Sequence, residues 1–187
     1  MSIPRSEFPR PDLQRDNWTC LNGVWAFSFD EPVFDKEILA PFCYQSEKSG
    51  IGCTENHDTV WYRRSFSPDA EKLSGRRLLL KFGAVDYEAD VWVNGRYAGR
   101  HVGGYSPFSF DITTLVQEGE NELCVRVHDD LGADRPRGKQ SWKDGPFACW
   151  YTPVTGIWQS VWLEYTAQKY VERVKCTPDV RALAAMC

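Results

Sequence analysis

No apolar run in this 187-residue chain approaches the roughly twenty residues that a helix needs to span a bilayer, and no polybasic segment offers a membrane anchor. A membrane partner is therefore not expected. The opening Met1-Ser-Ile-Pro-Arg5 is polar and carries a proline, so it lacks the apolar core of a secretory leader, and the chain reads as cytoplasmic. Acidic and basic residues are interspersed around a net charge of −4, which leaves no basic stripe for nucleic acid. The seven cysteines, at 20, 43, 53, 124, 149, 176 and 187, are odd in number and contain no C-x-x-C pair. That pattern argues against a disulfide framework and against a zinc site, and reduced thiols are expected. The three histidines, 57, 101 and 128, show no close spacing and glycine-rich phosphate motifs are missing, so neither a metal nor a cofactor is expected.

A helical period of any length is missing too, and the residues present point to strands. Hydrophobic residues make up 42% of the chain and aromatics 14%, enough for a real core. Val24–Phe29 places Trp25, Phe27 and Phe29 on one face; Val60–Phe66 alternates bulky and polar residues; Arg77–Phe82 is a run of the buried type. Tyr87–Val93 and Arg96–Val102 flank Asn94-Gly95, the pair that a type I′ hairpin turn selects because both central residues take positive φ. Leu123, Val125 and Val127 share a face, and Ile157–Leu163 returns as a further strand, with Trp158 and Trp162 on the face opposite Val161 and Leu163 and packed on another layer. Ser67–Leu73 has room for one helical turn, with Pro68 at its first position and Gly75 stopping it. Residues 30–59 read as irregular surface with one short strand. Many short strands with turn signals between them predict an all-β fold, an antiparallel β-sandwich.

The stretches VWYRRSF at 60–66, VDYEADVWVNGRYAGRHVGGYSPFSFDIT at 85–113 and TGIWQSVWLE at 155–164 resemble the N-terminal sugar-binding domain of glycoside hydrolase family 2, which includes β-galactosidases, β-glucuronidases and β-mannosidases. The resemblance covers roughly residues 15–165 and implies a jelly roll of the galactose-binding-domain-like type. It divides the chain into an arm, 1–16, a sugar-binding domain, 17–167, and a stretch, 168–187, that holds a linker and the first strand of an immunoglobulin-like domain, with Tyr170–Thr177 alternating as that strand. The family's two catalytic glutamates lie on a downstream barrel, which takes about 250 residues. The chain has no room for it, so no catalytic residue is expected here, and the implied partners are carbohydrate of the β-galactoside or β-glucuronide type together with the immunoglobulin-like and barrel domains of a longer protein.

The long loop from Asp129 to Thr155 is the candidate site, since loops beyond about 12–15 residues in compact domains are usually functional or disordered. Trp142, Phe147, Trp150 and Tyr151 stand in it beside Arg137, Lys139, Gln140 and Asp144. Sugars present apolar C–H faces and a rim of hydroxyls, which flat aromatics and charged neighbours match. Trp142, Asp144, Trp150, Tyr151, Arg137 and Lys139 are accordingly the candidate substrate-binding residues. Packing at the end of the sandwich, or against another domain, is the second reading of the same aromatics. Some family members place a sugar-contacting aspartate about six residues before the glycine matching Gly156, where this chain has Trp150, leaving Asp144 as the substitute carboxylate. Asp129-Asp130 reads as a strand exit, because neighbouring side chains of an extended chain point apart. His101 and Tyr105 read as parts of a structural turn built on Gly103-Gly104.

Overall fold

A computed structural model of the chain describes residues 2–179, 181 and 184–186. In chain order the strands are β1 Trp18–Cys20, β2 Gly23–Phe29, β3 Lys36–Ala40, β4 Thr59–Phe66, β5 Arg77–Phe82, β6 Val85–Asp86, β7 Glu88–Val93, β8 Arg96–Val102, β9 Phe108–Asp111, β10 Asn121–His128, β11 Gly156–Ile157, β12 Val161–Thr166, β13 Thr177–Asp179 and β14 Ala184–Met186. Six of them form one sheet in the order β3-β2-β4-β10-β7-β8, and four form the other in the order β1-β12-β5-β9. Every pairing is antiparallel. The fold is the expected β-sandwich.

Alternation decides which side chains meet between the sheets. Trp25 and Phe27 of β2, Val60 and Tyr62 of β4, Ala89, Val91 and Val93 of β7, and Leu123, Val125 and Val127 of β10 face inward, each 1% exposed or less. Leu78, Leu80 and Phe82 of β5 and Val161, Leu163 and Tyr165 of β12 close the core from the other sheet. Full burial of such a side chain stabilises by about 1.5–3 kcal/mol. The Asn94-Gly95 hairpin takes the expected geometry, with φ of 52° and 71°.

Strand β12 is buried on both faces because the arm covers its outer side. Arg15 Nε bonds Glu164 Oε2 at 3.0 Å, and Trp162 Nε1 donates to Glu164 Oε1 at 2.8 Å, so a fully buried carboxylate keeps charged and neutral donors. Arg15 also donates to the Val171 carbonyl at 2.6 Å, which holds the arm and residues 170–172 together on the same face. The layer expected over Trp162 is therefore the chain's own N-terminal arm.

Four expectations change. Ile157–Leu163 is not one strand, since Trp158, Gln159 and Ser160 stand opposite Gly83 and Ala84 between the pairs Ile157↔Val85 and Val161↔Phe82. The extra residue on one side breaks the ladder and turns the chain toward the site. Tyr87 leaves the ladder where the chain passes from β6, paired with β11, to β7, paired with β10 and β8. The helical turn is Ala70–Leu73 (α1), capped by Asp69, whose Oδ1 accepts from the Glu71 and Lys72 amides at 3.1 Å, so Pro68 precedes the cap instead of opening the helix. Tyr170–Cys176 form no strand; the pairing starts at β13, against β14.

Candidate functional site

The Asp129–Thr155 loop leaves β10 and re-enters the sandwich at β11, and buried polar side chains hold it at both ends. Asp129, 2% exposed, receives Arg137 Nη2 on Oδ1 at 2.9 Å and Thr155 Oγ1 on Oδ2 at 3.0 Å. Arg137 Nε donates to the Gly132 carbonyl at 2.7 Å, so one guanidinium ties the loop's start to its first turn. Gln140 makes the second tie: its Nε2 donates to Asp86 Oδ2 at 2.8 Å and its Oε1 accepts the Val154 amide at 2.7 Å. Backbone bonds from Ser141 to the Tyr151 carbonyl and from Tyr151 to the Lys139 carbonyl, both 2.8 Å, then clip the two limbs together.

Burial pushes the Asp129 carboxyl up to about 7, with repulsion from Asp86 adding to it and Arg137 opposing it. Burial also raises Asp86, against the Gln140 hydrogen bond. Arg137 is the cation that offsets the two buried carboxyls, the kind of charge pairing that a dry site tolerates. A folded pKa above the ordinary carboxylate value means that the native state binds more protons than the unfolded chain. The stabilisation from Asp129 is therefore complete below about pH 4 and is lost as pH rises through about 7. Asp86→Asn is expected to lower the Asp129 pKa and flatten this part of the pH dependence, read from urea unfolding across that window. An unchanged slope would show that Asp86 does not act on Asp129.

Beyond the ties the loop displays aromatics. Trp142 meets Trp150 edge to face, with centroids 4.7 Å apart, and Phe147 at 5.2 Å. Trp142 is 40% exposed and Tyr151 63%, the latter with Lys139 Nζ 6.0 Å from its ring centroid. Asp144 is exposed at the loop tip. Of the six candidate residues, the structure brings Trp142 and Trp150 together, sets Lys139 over Tyr151, leaves Asp144 at the rim and turns Arg137 inward, where it serves as an anchor. Asp129 and Asp130 do point apart: Asp130 Oδ1 accepts the Gly132 amide at 2.7 Å in a turn. His101 lies flat on Phe108 and its Nε2 is 3.1 Å from the Gly103 carbonyl oxygen, as a structural turn requires.

Asp86 was not legible as a partner of this loop, since nothing in the sequence marks its contact with Gln140, 54 residues away. A cleft of about 1280 Å³ elsewhere is lined by the arm, by Lys81 and Trp162 and by residues 172–174, away from the aromatic loop.

The sequence model described as "Glycosyl hydrolases family 2, sugar binding domain" matches residues 34–166, which takes in β3 to β12 and the whole loop. The chain belongs to this family. It is 32% identical over 162 residues to a β-galactosidase of Thermoanaerobacter pseudethanolicus, covering 85% of the chain and 21% of that protein. It is 33% identical over 120 residues to a β-glucuronidase of Bacteroides fragilis, covering 58% of the chain and 16% of that protein. Among solved structures, a β-glucuronidase from an uncultured Clostridium superposes with a TM-score of 0.69 at 27% identity, over 93% of the chain and 33% of that protein. The family 2 sugar-binding domain thus spans about a fifth of the first of these enzymes and a third of the solved one. Among the described residues, no helix is long and apolar enough to cross a membrane.

Proposed function

We propose that the chain is the non-catalytic sugar-binding and supporting domain of a retaining β-glycosidase of the β-galactosidase or β-glucuronidase kind, and that its aromatic loop forms part of the active-site rim. The observation that carries this reading is the loop itself. Exposed aromatics, Trp142 and Tyr151, stand on a scaffold tied down by Asp129–Arg137 and Asp86–Gln140. Rigid presentation lowers the ordering cost of binding, and contacts remote from the scissile bond help to position the reacting centre. In this reading Trp142 and Tyr151 offer ring faces, Trp150 backs Trp142, and Lys139 and Asp144 reach hydroxyls. The downstream immunoglobulin-like and barrel domains, to which residues 168–187 would lead, supply the catalytic glutamates.

The test uses the enzyme translated from the reading frame that contains this domain. Trp142→Ala and Tyr151→Ala are each expected to raise KM for an aryl β-galactoside or β-glucuronide about fivefold to tenfold, a loss of roughly 1 kcal/mol, with the unfolding midpoint unchanged. The 187-residue chain alone is expected to hydrolyse neither substrate, and turnover above that of a heat-denatured control would refute the supporting role.

The edge-to-face packing of Trp142 on Trp150 and Phe147 favours a second reading, a protein interface, since it covers ring surface that a sugar would need. Under that reading the same variants loosen the contact with the neighbouring domain and lower the midpoint while leaving KM alone.

A further inference from the structure

Away from the aromatic loop, Cys53, Glu55 and His57 precede β4 on alternate residues of one segment, and their donor atoms all lie within 4.8 Å of one another. The fully buried Tyr44 fixes the backbone at all three positions. Its carbonyl accepts the Cys53 amide at 3.1 Å, and its hydroxyl donates to the Glu55 carbonyl at 3.1 Å and accepts the His57 amide at 3.0 Å. The His57 ring lies against Phe29, with centroids 3.8 Å apart and planes 18° apart, and its Nδ1 faces Asp30 Oδ2 at 3.2 Å. A carboxylate at Nδ1 holds the proton there and leaves Nε2 as a lone-pair donor, the second-shell arrangement that orients metal-binding histidines.

We propose that Cys53, Glu55 and His57 form a metal site that takes Zn²⁺, with Asp30 as the positioning residue for His57 and water as the fourth ligand. A thiolate, an imidazole and a carboxylate at four-coordination suit Zn²⁺, whereas Mg²⁺ and Ca²⁺ take oxygen donors and higher coordination. Binding moves the thiol proton to solvent and changes no oxidation state. The bound ion would tie the segment before β4 to Phe29 and Asp30 at the end of β2, and so stabilise the fold by linkage. The proposal is independent of the sugar-binding reading.

Co²⁺, a spectroscopic stand-in for Zn²⁺, is titrated into the reduced 187-residue chain after chelator treatment and desalting. The expected result is a thiolate-to-cobalt charge-transfer band with tetrahedral d–d bands that saturates at one equivalent and is displaced by one equivalent of Zn²⁺ but not by excess Mg²⁺. Cys53→Ser should abolish the charge-transfer band, and Cys149→Ser, which removes an exposed thiol elsewhere, should leave it. Asp30→Asn should weaken Co²⁺ binding about 10–100-fold without removing the band. No saturable band in the wild-type chain, or a band that survives Cys53→Ser, overturns the proposal. Circular dichroism checks that each variant folds. If Cys53→Ser does not fold, the wild-type titration and Asp30→Asn decide, since the Asp30 side chain is 63% exposed and its loss should not unfold the chain; an unchanged affinity in Asp30→Asn removes its positioning role.

Discussion

Arg137→Met is expected to lower the unfolding free energy by about 3–5 kcal/mol at pH values well above 7, where Asp129 is ionised, because removal of one partner from a buried ion pair strands the other. Here the stranded groups are Asp129 and, through its repulsion, Asp86. The loss carries a pH signature. Without the guanidinium the Asp129 pKa rises further above about 7, so the variant regains stability as pH falls and both carboxyls take up protons. Urea unfolding of wild type and variant at a series of pH values measures both parts. A loss below about 1 kcal/mol that is flat with pH would mean that water reaches Asp129 and that the pair behaves like a surface bridge. Arg137→Lys should recover only part of the loss, since one ammonium cannot reproduce the fork that reaches Asp129 and the Gly132 carbonyl together.

Gly156→Ala should be of similar size. The Gly156 backbone has φ of +107°, and a Cβ there would sit 2.0 Å from the Tyr62 hydroxyl oxygen. That hydroxyl cannot simply retreat, because Tyr62 is fully buried and its oxygen accepts the Ile157 amide at 3.3 Å. Backbone strain of about 1–3 kcal/mol and overpacking of similar cost together predict a loss of roughly 2–6 kcal/mol. The double variant Gly156→Ala/Tyr62→Phe separates the two, since losing the hydroxyl relieves the clash and leaves the strain. A Gly156→Ala protein with the wild-type unfolding midpoint would mean that the chain at β11 shifts freely. It would then give the loop no firm base.

The strands with strict alternation were legible in the sequence because one face must be dry. Leu123, Val125 and Val127 or Ala89, Val91 and Val93 leave no other register. What was not legible depended on a distant partner. The break between β11 and β12 follows from the matching break between β5 and β6, and nothing in Ile157–Leu163 records it. The loop's aromatics stood out by composition, and their clustering is seen in Trp142, Phe147 and Trp150. Arg137 looked like a ligand-facing cation because sequence alone does not tell a buried guanidinium from an exposed one. Its partner Asp129 was read only beside Asp130, whereas the carboxylate that acts on it is Asp86, on the segment that leads into the neighbouring strand β7. Cys53, Glu55 and His57 escaped notice for another reason: histidine spacing and C-x-x-C pairs are blind to a group with one cysteine and one histidine.

The pairing of β1 with β12 sets an order of events during synthesis. Trp18, Thr19 and Cys20 leave the ribosome before the rest of the sandwich, yet their partners Glu164, Leu163 and Trp162 emerge only when almost all of the domain has been made. The same holds for Arg15, which must await Glu164 and Val171. Until then the edge of β5 that pairs with β12 is open, so closure is a late and non-local step of the slow kind. Chains arrested before β12 should remain open and sticky, and the first strand made is the last to find its place.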